Sequence, residues 1–265
     1  MDGAIIIPAR FESSRFPGKP LAKLKGATGI EKSLIVRCIE SARLAATSSP
    51  IIVATDDPRI ADEARAGGAE AVMTSNACRN GSERIAEAIA TLGVDREVIV
   101  NFQGDAPLTP PWFVEALVET ILDDGSVSVA TPVMPFAADE VDRVSRDLSA
   151  GRRGPTTAVF GVDGNALYFS KELLPSFRQD AGGEPPRIFH HIGLYAYRRD
   201  ALADYAAADP APLELAEGLE QLRFLERGMP IRVVEVDPRD RLQWEVNFPE
   251  DIPIVEAELK RLGIP

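Results

Sequence analysis

Short, uninterrupted apolar runs alternate with amphipathic stretches along the first hundred residues. Ala4-Ile5-Ile6-Ile7, Ile51-Ile52-Val53-Ala54, Ala71-Val72-Met73 and Val98-Ile99-Val100 are the runs. Being short, largely β-branched and without polar alternation, they predict strands covered on both faces, as in a parallel sheet. Between them, residues 33–46, 58–66 and 83–92 carry apolar side chains at helical spacing. Ser33 is a candidate N-cap for the first helix and Ser82 for the third, while Gly67-Gly68 closes the second. Such β-α-β alternation predicts an α/β fold: a mostly parallel central sheet, right-handed crossovers and helices on both faces.

The second half is less regular. A strand is expected at 127–133, then a charged, irregular stretch over 134–155 with Gly151-Arg152-Arg153-Gly154-Pro155 at its tip. Strand-like segments follow at 157–162, 165–170 and 188–198, with Gly164 marking a hairpin. Residues 134–198 therefore read as a small β excursion from the sheet, a subdomain or dimer arm within one domain spanning 1–265. Residues 212–228 read as one helix with Glu214, Glu217 and Gln221 along one face. A last strand is expected at 231–236. Pro249-Glu250-Asp251 opens a terminal helix reaching residue 262, with acids near its positive end.

Composition narrows the partners. The 265 residues are 45% hydrophobic and 26% charged, enough for a large core. A net charge of −12 and no basic face argue against nucleic acid. No apolar run is long enough to cross a membrane, and Met1-Asp2 does not open like a signal peptide. Cys38 and Cys78 are far apart and form no Cys-x-x-Cys, so a reduced, cytoplasmic protein is expected.

Against that acidic background, the first strand runs into Arg10, Arg15 and Lys19 within ten residues, with Pro8 expected to end the strand. Ligands of open α/β sheets sit outside the carboxyl ends of the strands, so these cations suit a polyphosphate; by spacing alone they fit a solvated charged loop equally well. Gly18-Lys19 is not a phosphate-binding P-loop, because Pro20 follows the lysine and the upstream glycine is missing. No G-x-G-x-x-G follows the strand, and no Tyr-x-x-x-Lys pair supports an oxidoreductase. The fourth strand ends in Asn101-Phe102-Gln103-Gly104-Asp105-Ala106-Pro107. A carboxylate there, facing the cationic loop, is how a magnesium-nucleotide site is built; the alternative is Asp105 as a turn residue before Pro107. His190 and His191 are neighbours on a strand, face opposite ways and make no metal pair.

Seven segments in register resemble the sugar-acid cytidylyltransferases, in particular the family acting on 3-deoxy-manno-octulosonate (Kdo). They are Ile6 to Leu21 (I-I-P-A-R…S-x-R-x-P-G-K-P-L), Val53-Ala54-Thr55-Asp56, Gly81-Ser82-Glu83-Arg84, Asn101 to Pro107, Ala166 to Ser170, His191 to Arg198 and Pro212 to Arg223. The resemblance implies a Rossmann-like nucleotidyltransferase fold with a dimer-forming excursion, hence a homodimer. It also implies transfer of CMP from CTP to a 2-keto-3-deoxy sugar acid for cell-surface polysaccharide synthesis. By it, Arg10, Arg15 and Lys19 hold the triphosphate, Asp105 binds magnesium, and Pro8, Ala9, Thr74 and Ser82 frame the cytidine. Arg84, Gln103, His191, Tyr195, Glu217, Glu220 and Gln221 line the sugar-acid pocket, with Arg84 expected on the carboxylate. The family's V-D-x-P-E-D reads Val246-Asn247-Phe248-Pro249-Glu250-Asp251 here, so the second magnesium ligand becomes Asn247, with Glu245 two residues back as its substitute. Thr156-Thr157-Ala158-Val159 lacks the family's lysine, His190 stands where arginine is usual, and residues 26–33 are longer. These departures make a different sugar acid, such as 8-amino-Kdo or a nonulosonic acid, or a paralogue that binds CTP without turnover, the alternatives.

Overall fold

The computed structural model describes residues 3–13, 15–45, 49–151, 154–176 and 187–265. β1 (Gly3–Ala9) lies at the centre of the sheet. It pairs in parallel with β4 (Ile51–Thr55) on one side and β6 (Val98–Asn101) on the other. β5 (Glu70–Met73) forms the edge beyond β4. Ile5 and Ile7 enter one hydrophobic cluster while Ala4 and Ile6 enter a second, as period-2 alternation requires of a strand buried on both faces. Each fully buried isoleucine contributes roughly 1.5–3 kcal/mol.

The first cluster holds the apolar sides of α1 (Leu34–Arg43), α2 (Pro58–Ala66), α4 (Pro111–Asp123) and α9 (Ile252–Arg261). The second is covered by α3 (Gly81–Leu92), α6 (Arg199–Ala207) and α8 (Leu222–Glu226). Ser33 caps α1, its hydroxyl accepting from the Val36 N–H at 3.4 Å. At α3 the cap is Asn80, not Ser82: the Asn80 side-chain Oδ1 accepts the Glu83 N–H at 3.0 Å.

Pro8 does not end β1, which pairs on through Pro8 to Ala9. Ile5 donates toward β4 and Ile6 accepts from the β6 side, so even-numbered residues face β6. The β6 ladder stops at Ile6 opposite Asn101, and the donor that Pro8 lacks has no ladder partner to lose.

The other half of the sheet is mixed. β7 (Val129–Pro135) is flanked by β12 (Arg232–Glu235), parallel to it, and on its other side by β10 (Phe189–His191) and β11 (Tyr195–Arg198), both antiparallel. β10 and β11 are one extended run broken at Ile192-Gly193-Leu194 where a single strand was expected. β11 pairs with β6, but β10 pairs with β8 (Thr157–Phe160), which forms a hairpin with β9 (Ala166–Ser170) around Gly164 at φ 76°. The expected β excursion is therefore hydrogen-bonded into the sheet. Residues 134–155 also carry a helix, α5 (Ala138–Ser149), that their charge concealed; Arg152 and Arg153 lie outside the described residues.

Two further elements were hidden by sequence punctuation. α4 opens on Pro110-Pro111, which reads as a break, yet proline at the first helical position gives up no needed N–H. A short antiparallel ribbon pairs β2 (Lys23–Lys25), just before the lengthened 26–33 region, with β3 (Glu31–Ser33) at its end. The expected 212–228 helix is two, α7 (Pro212–Glu217) and α8, separated where Gly218 takes φ 69°. The terminal helix begins with a 3-10 turn over Pro249–Asp251. Among the described residues no helix is long and apolar enough to cross a membrane.

Candidate active site

The carboxyl ends of β1, β4, β5 and β6 open on one side of the sheet, where the break between β10 and β11 lets β8 replace β6 as a neighbour. Such a change of partner leaves a crevice at the strand ends.

On the phosphate side, β1 delivers Arg10, which is exposed. The Phe11 N–H donates to Asp56 Oδ1 at 3.1 Å. The Arg59 guanidinium lies 3.7 Å over the Phe11 ring, and the loop closes through Gly18 N–H to Phe11 carbonyl at 2.9 Å. Gly18 has φ 70°, and a Cβ there would fall 3.1 Å from the Phe11 ring, so glycine permits the closure. Arg15 is exposed with its guanidinium 5.5 Å from the centroid of Phe248. Neither Arg10 nor Arg15 has an ion-pair partner among the described residues. Lys19 does: its Nζ lies 2.6 Å from Asp105 Oδ2.

That ion pair joins the loops after β1 and β6. Gly104 makes the approach possible, since a Cβ there would stand 2.7 Å from the Pro8 carbonyl oxygen. The Asp105 carbonyl in turn accepts the Val246 N–H at 2.8 Å, tying residues 244–248 to the same place. Glu245 reaches the floor of the crevice: the Cβ direction of Gly193 points at its Oε1, 3.3 Å away, and at Gln103. Glu245 keeps a solvent-exposed edge, yet the surrounding protein and then the Asp105 charge push its carboxyl up to about 7, while a hydrogen bond from Asn247 pulls the other way. Asp251 organises this segment. Its Oδ2 accepts the Asn247 and Phe248 N–H groups at 2.8 and 2.7 Å, and its Oδ1 accepts the Trp244 indole N–H at 2.9 Å.

Asp105, Glu245 and Asn247 would offer a cation oxygen donors only, two of them carboxylates. Magnesium, which takes one or two carboxylates beside substrate phosphates, fits these residues. Among the described residues no group of three or more His, Cys, Asp or Glu side chains gathers as a metal cluster.

On the nucleoside side, Pro8 packs against Gly81 at the start of α3, its Cγ 3.3 Å from where a Gly81 Cβ would lie. Ser82 is buried; its N–H donates to Glu220 Oε2 at 3.1 Å and its hydroxyl meets Tyr197 Oη at 2.9 Å. Thr74 is buried and its hydroxyl accepts from Arg84 at 2.6 Å. The other Arg84 amino group donates to Asp56 Oδ2 at 3.0 Å. Arg84 thus sits among nucleoside-side residues with its guanidinium engaged, away from the carboxylate role expected of it.

The expected sugar-side residues converge, though not as one helical face. Glu217 accepts from Ser170 Oγ at 2.8 Å and Lys171 N–H at 3.0 Å, fastening α7 to the end of β9. Glu220 holds the Ser82 N–H and, crowded by protein, has its carboxyl pushed up. Gln221 is 2% exposed; its Oε1 accepts from Tyr195 Oη at 3.1 Å and its Nε2 has no partner among the described residues. A buried amide donor without an acceptor is costly, so Nε2 marks a position for a ligand oxygen. Gln103 Nε2 donates to Asn101 Oδ1 at 3.1 Å. His191 is buried beside Tyr195 with Nε2 2.9 Å from Thr131 Oγ1. The Thr131 hydroxyl donates to the Leu194 carbonyl at 2.8 Å, leaving it to accept from the imidazole. Burial pushes His191 down to about 3, so it is neutral. His190, on the opposite side of its strand, stacks on Phe136.

Glu214, expected on this face, is buried elsewhere. It pairs with the fully buried Arg223, which also reaches Glu83 at 2.9 Å. Asp56, Asn80, Asp251 and this Glu214–Arg223–Glu83 cluster were not singled out from the sequence. Asp56 had the same signal as Asp105, an acid just past a buried strand; Asp251 gathers donors three to seven residues before it, whereas Asn80 meeting Tyr205 and Arg223 meeting Glu83 join residues 125 and 140 apart.

A family model described as Cytidylyltransferase matches residues 4–231. The 3-deoxy-manno-octulosonate cytidylyltransferase of Maricaulis maris is 45% identical over 258 residues, covering 97% of this chain and 97% of that protein. The enzyme of the same name from Myxococcus xanthus is 42% identical, covering 97% and 96%. Among solved structures, CMP:2-keto-3-deoxy-manno-octonic acid synthetase complexed with CTP matches with a TM-score of 0.84 at 34% identity, covering 99% of this chain and 100% of that one. A crevice that pairs a cationic loop with an acid at the next strand end, carried on a chain this similar throughout, leads to one conclusion: the chain belongs to the cytidylyltransferase family of nucleotidyltransferases.

Proposed function

We propose that this enzyme couples CTP to 3-deoxy-manno-octulosonate, giving the CMP-sugar and pyrophosphate as an activated donor for cell-surface polysaccharide synthesis. The observation that carries the reading is the Lys19–Asp105 pair joining the loops after β1 and β6, on a chain similar over nearly its whole length to enzymes of that name.

The anomeric hydroxyl of the sugar acid attacks the α-phosphorus and pyrophosphate leaves. Arg10 and Arg15, exposed and without ion-pair partners among the described residues, hold the β- and γ-phosphates and offset the charge that grows on the leaving group. Lys19 bridges the triphosphate and Asp105. Pro8, Ala9, Thr74 and Ser82 frame the nucleoside. Asp105, Glu245 and Asn247 would hold magnesium; when bound, the ion would offset charge at the α-phosphate and acidify the attacking hydroxyl. Gln103, His191, Tyr195, Glu217, Glu220 and Gln221 orient the sugar acid, the Gln221 Nε2 donating to one of its oxygens. Arg84 belongs to this pocket through Asp56 and Thr74, as a strut rather than a direct ligand. A homodimer through the β8–β9 edge fits the exposure of Val162 and Leu167 there.

The test is pyrophosphate release with CTP, magnesium and a panel of octulosonic and nonulosonic acids. Release with 3-deoxy-manno-octulosonate at the highest kcat/KM of the panel is expected. A higher value with an 8-amino or nonulosonic acid would replace the substrate, and no release with any sugar acid would end the reading.

A further inference from the structure

Phe11 is the fixed point of the cationic loop. It follows Arg10, and its carbonyl accepts the N–H of Gly18, the residue before Lys19, at 2.9 Å. The end of β4 grips it twice. Asp57 caps α2 and binds the Arg59 guanidinium through both carboxylate oxygens, at 2.9 and 2.6 Å, and that guanidinium lies 3.7 Å over the Phe11 ring. Asp56 Oδ1 accepts the Phe11 N–H itself at 3.1 Å. Arg10 and Lys19, which hold the triphosphate in the function proposed above, thus leave from the two ends of a closure pinned to β4.

A carboxylate is an unexpected acceptor in that place. An uncharged amide oxygen would take the Phe11 N–H, whereas a negative charge beside cations that draw a polyanion works against them, since Coulomb repulsion acts over several ångströms. The charge is answered from the nucleoside side. Arg84, 3% exposed, donates to Asp56 Oδ2 at 3.0 Å and to the Thr74 hydroxyl at 2.6 Å. Among the described residues no other acid pairs with Arg84. Thr74 is in turn tied to β4, its N–H donating to the Thr55 carbonyl at 2.8 Å. Asp56 therefore has one oxygen on the backbone of the phosphate side and the other on a buried cation among the residues that frame the nucleoside.

We propose that Asp56 is a positioning residue for the triphosphate: bound to Arg84, it fixes Phe11, and through Phe11 the placement of Arg10 and Lys19 relative to the nucleoside. The inference rests on the reading of the crevice as a CTP site. Asp56 then acts on the β- and γ-phosphates more than on the nucleoside, and Arg84 acts in part by cancelling the charge of Asp56. A hydrogen bond to a charged acceptor corresponds to roughly tenfold or more in an equilibrium.

The experiment uses the full chain with magnesium and measures by calorimetry the Kd of CTP and of CMP, which shares the nucleoside and lacks the β- and γ-phosphates. Binding of CTP by the wild type tests the parent reading; its absence ends that reading without reference to Asp56. Asp56→Ala should lower the ratio of the CMP Kd to the CTP Kd by threefold or more. Arg84→Met should weaken CTP more than CMP, because it leaves Asp56 as an unpaired anion. Adding Asp56→Asn to Arg84→Met should then tighten CTP at least threefold over Arg84→Met alone, since the amide oxygen still accepts the Phe11 N–H while the charge is gone. A change of ratio under threefold in Asp56→Ala overturns the proposal, because a role confined to folding weakens both nucleotides alike. So does a gain under threefold in the double variant. Should Asp56→Ala fail to fold, the comparison of the two proteins carrying Arg84→Met decides by itself.

Discussion

The two walls of the crevice are built differently. The phosphate wall is a loop whose arginines point into solvent without ion-pair partners among the described residues, closed on its own backbone at Gly18. The sugar wall is already bonded: Glu217 to Ser170, Glu220 to Ser82, Gln221 to Tyr195, with Arg223 buried between Glu214 and Glu83 behind them. A triphosphate brings enough charge to order flexible cations when it arrives, because Coulomb attraction acts over several ångströms. Uncharged hydroxyls bring no such force. A site that discriminates among them needs donors and acceptors fixed in advance, because mispaired polar groups are what reject the wrong sugar.

That contrast breaks most visibly at Arg223. Arg223→Met leaves the buried Glu214 without its cation, while Glu83 keeps Arg79, and urea unfolding should show a loss of about 3–5 kcal/mol. A loss under 1 kcal/mol would mean that the sugar wall is not prebuilt. At the junction of the walls, Lys19→Met should cost about 10²- to 10³-fold in kcat, roughly 3–4 kcal/mol, with unfolding midpoints within a few degrees of the wild type. A rate within fivefold would remove Lys19 from the chemistry. On the phosphate wall the effects are softer. Arg15→Ala should raise the KM for CTP about tenfold at low salt and less at high salt. Phe248→Ala, which removes only the ring beneath Arg15, should raise it about two- to threefold, the worth of an exposed cation–π contact.

Glu245 gives the smallest and most diagnostic effect. Its carboxyl is pushed up to about 7, so between roughly pH 4.5 and 7 the folded chain keeps a proton that the unfolded chain has released. Stability of the magnesium-free protein should therefore fall as pH rises through that window, by less than about 1 kcal/mol because the group reaches solvent. Glu245→Gln should abolish this component and weaken manganese binding measured by electron paramagnetic resonance. An unchanged pH profile and unchanged manganese affinity would take Glu245 out of the metal site.

The strand ends were legible because the chemistry there is local. Apolar runs in the first hundred residues predicted β1, β4, β5 and β6 to within a residue or two, and the charged residues just past β1 and β6 meet as expected. The helix around Glu217 to Gln221 was legible in composition but not in shape. Its periodicity runs through Gly218, and the break there lets Glu214 turn to Arg223 while Gln221 turns to Tyr195. Arg84 shows the limit in another way: the motif that contains it marks it as functional, but only Asp56 and Thr74, brought alongside by β4 and β5, show that its guanidinium is engaged.

By itself the sequence determined the α/β alternation, the segments of the central strands, the family and the charged residues just past β1 and β6 that meet as Lys19 and Asp105, because each rests on residues within one strand and the loop that follows it. Tertiary structure alone decided which neighbour each polar side chain takes. Glu245 beside Asp105, the Ser82 N–H on Glu220 and Asn80 on Tyr205 are pairings across 140, 138 and 125 residues, made by the order of strands in the sheet. A hydrogen bond depends on ångströms of relative placement, and that placement comes from how the whole sheet packs.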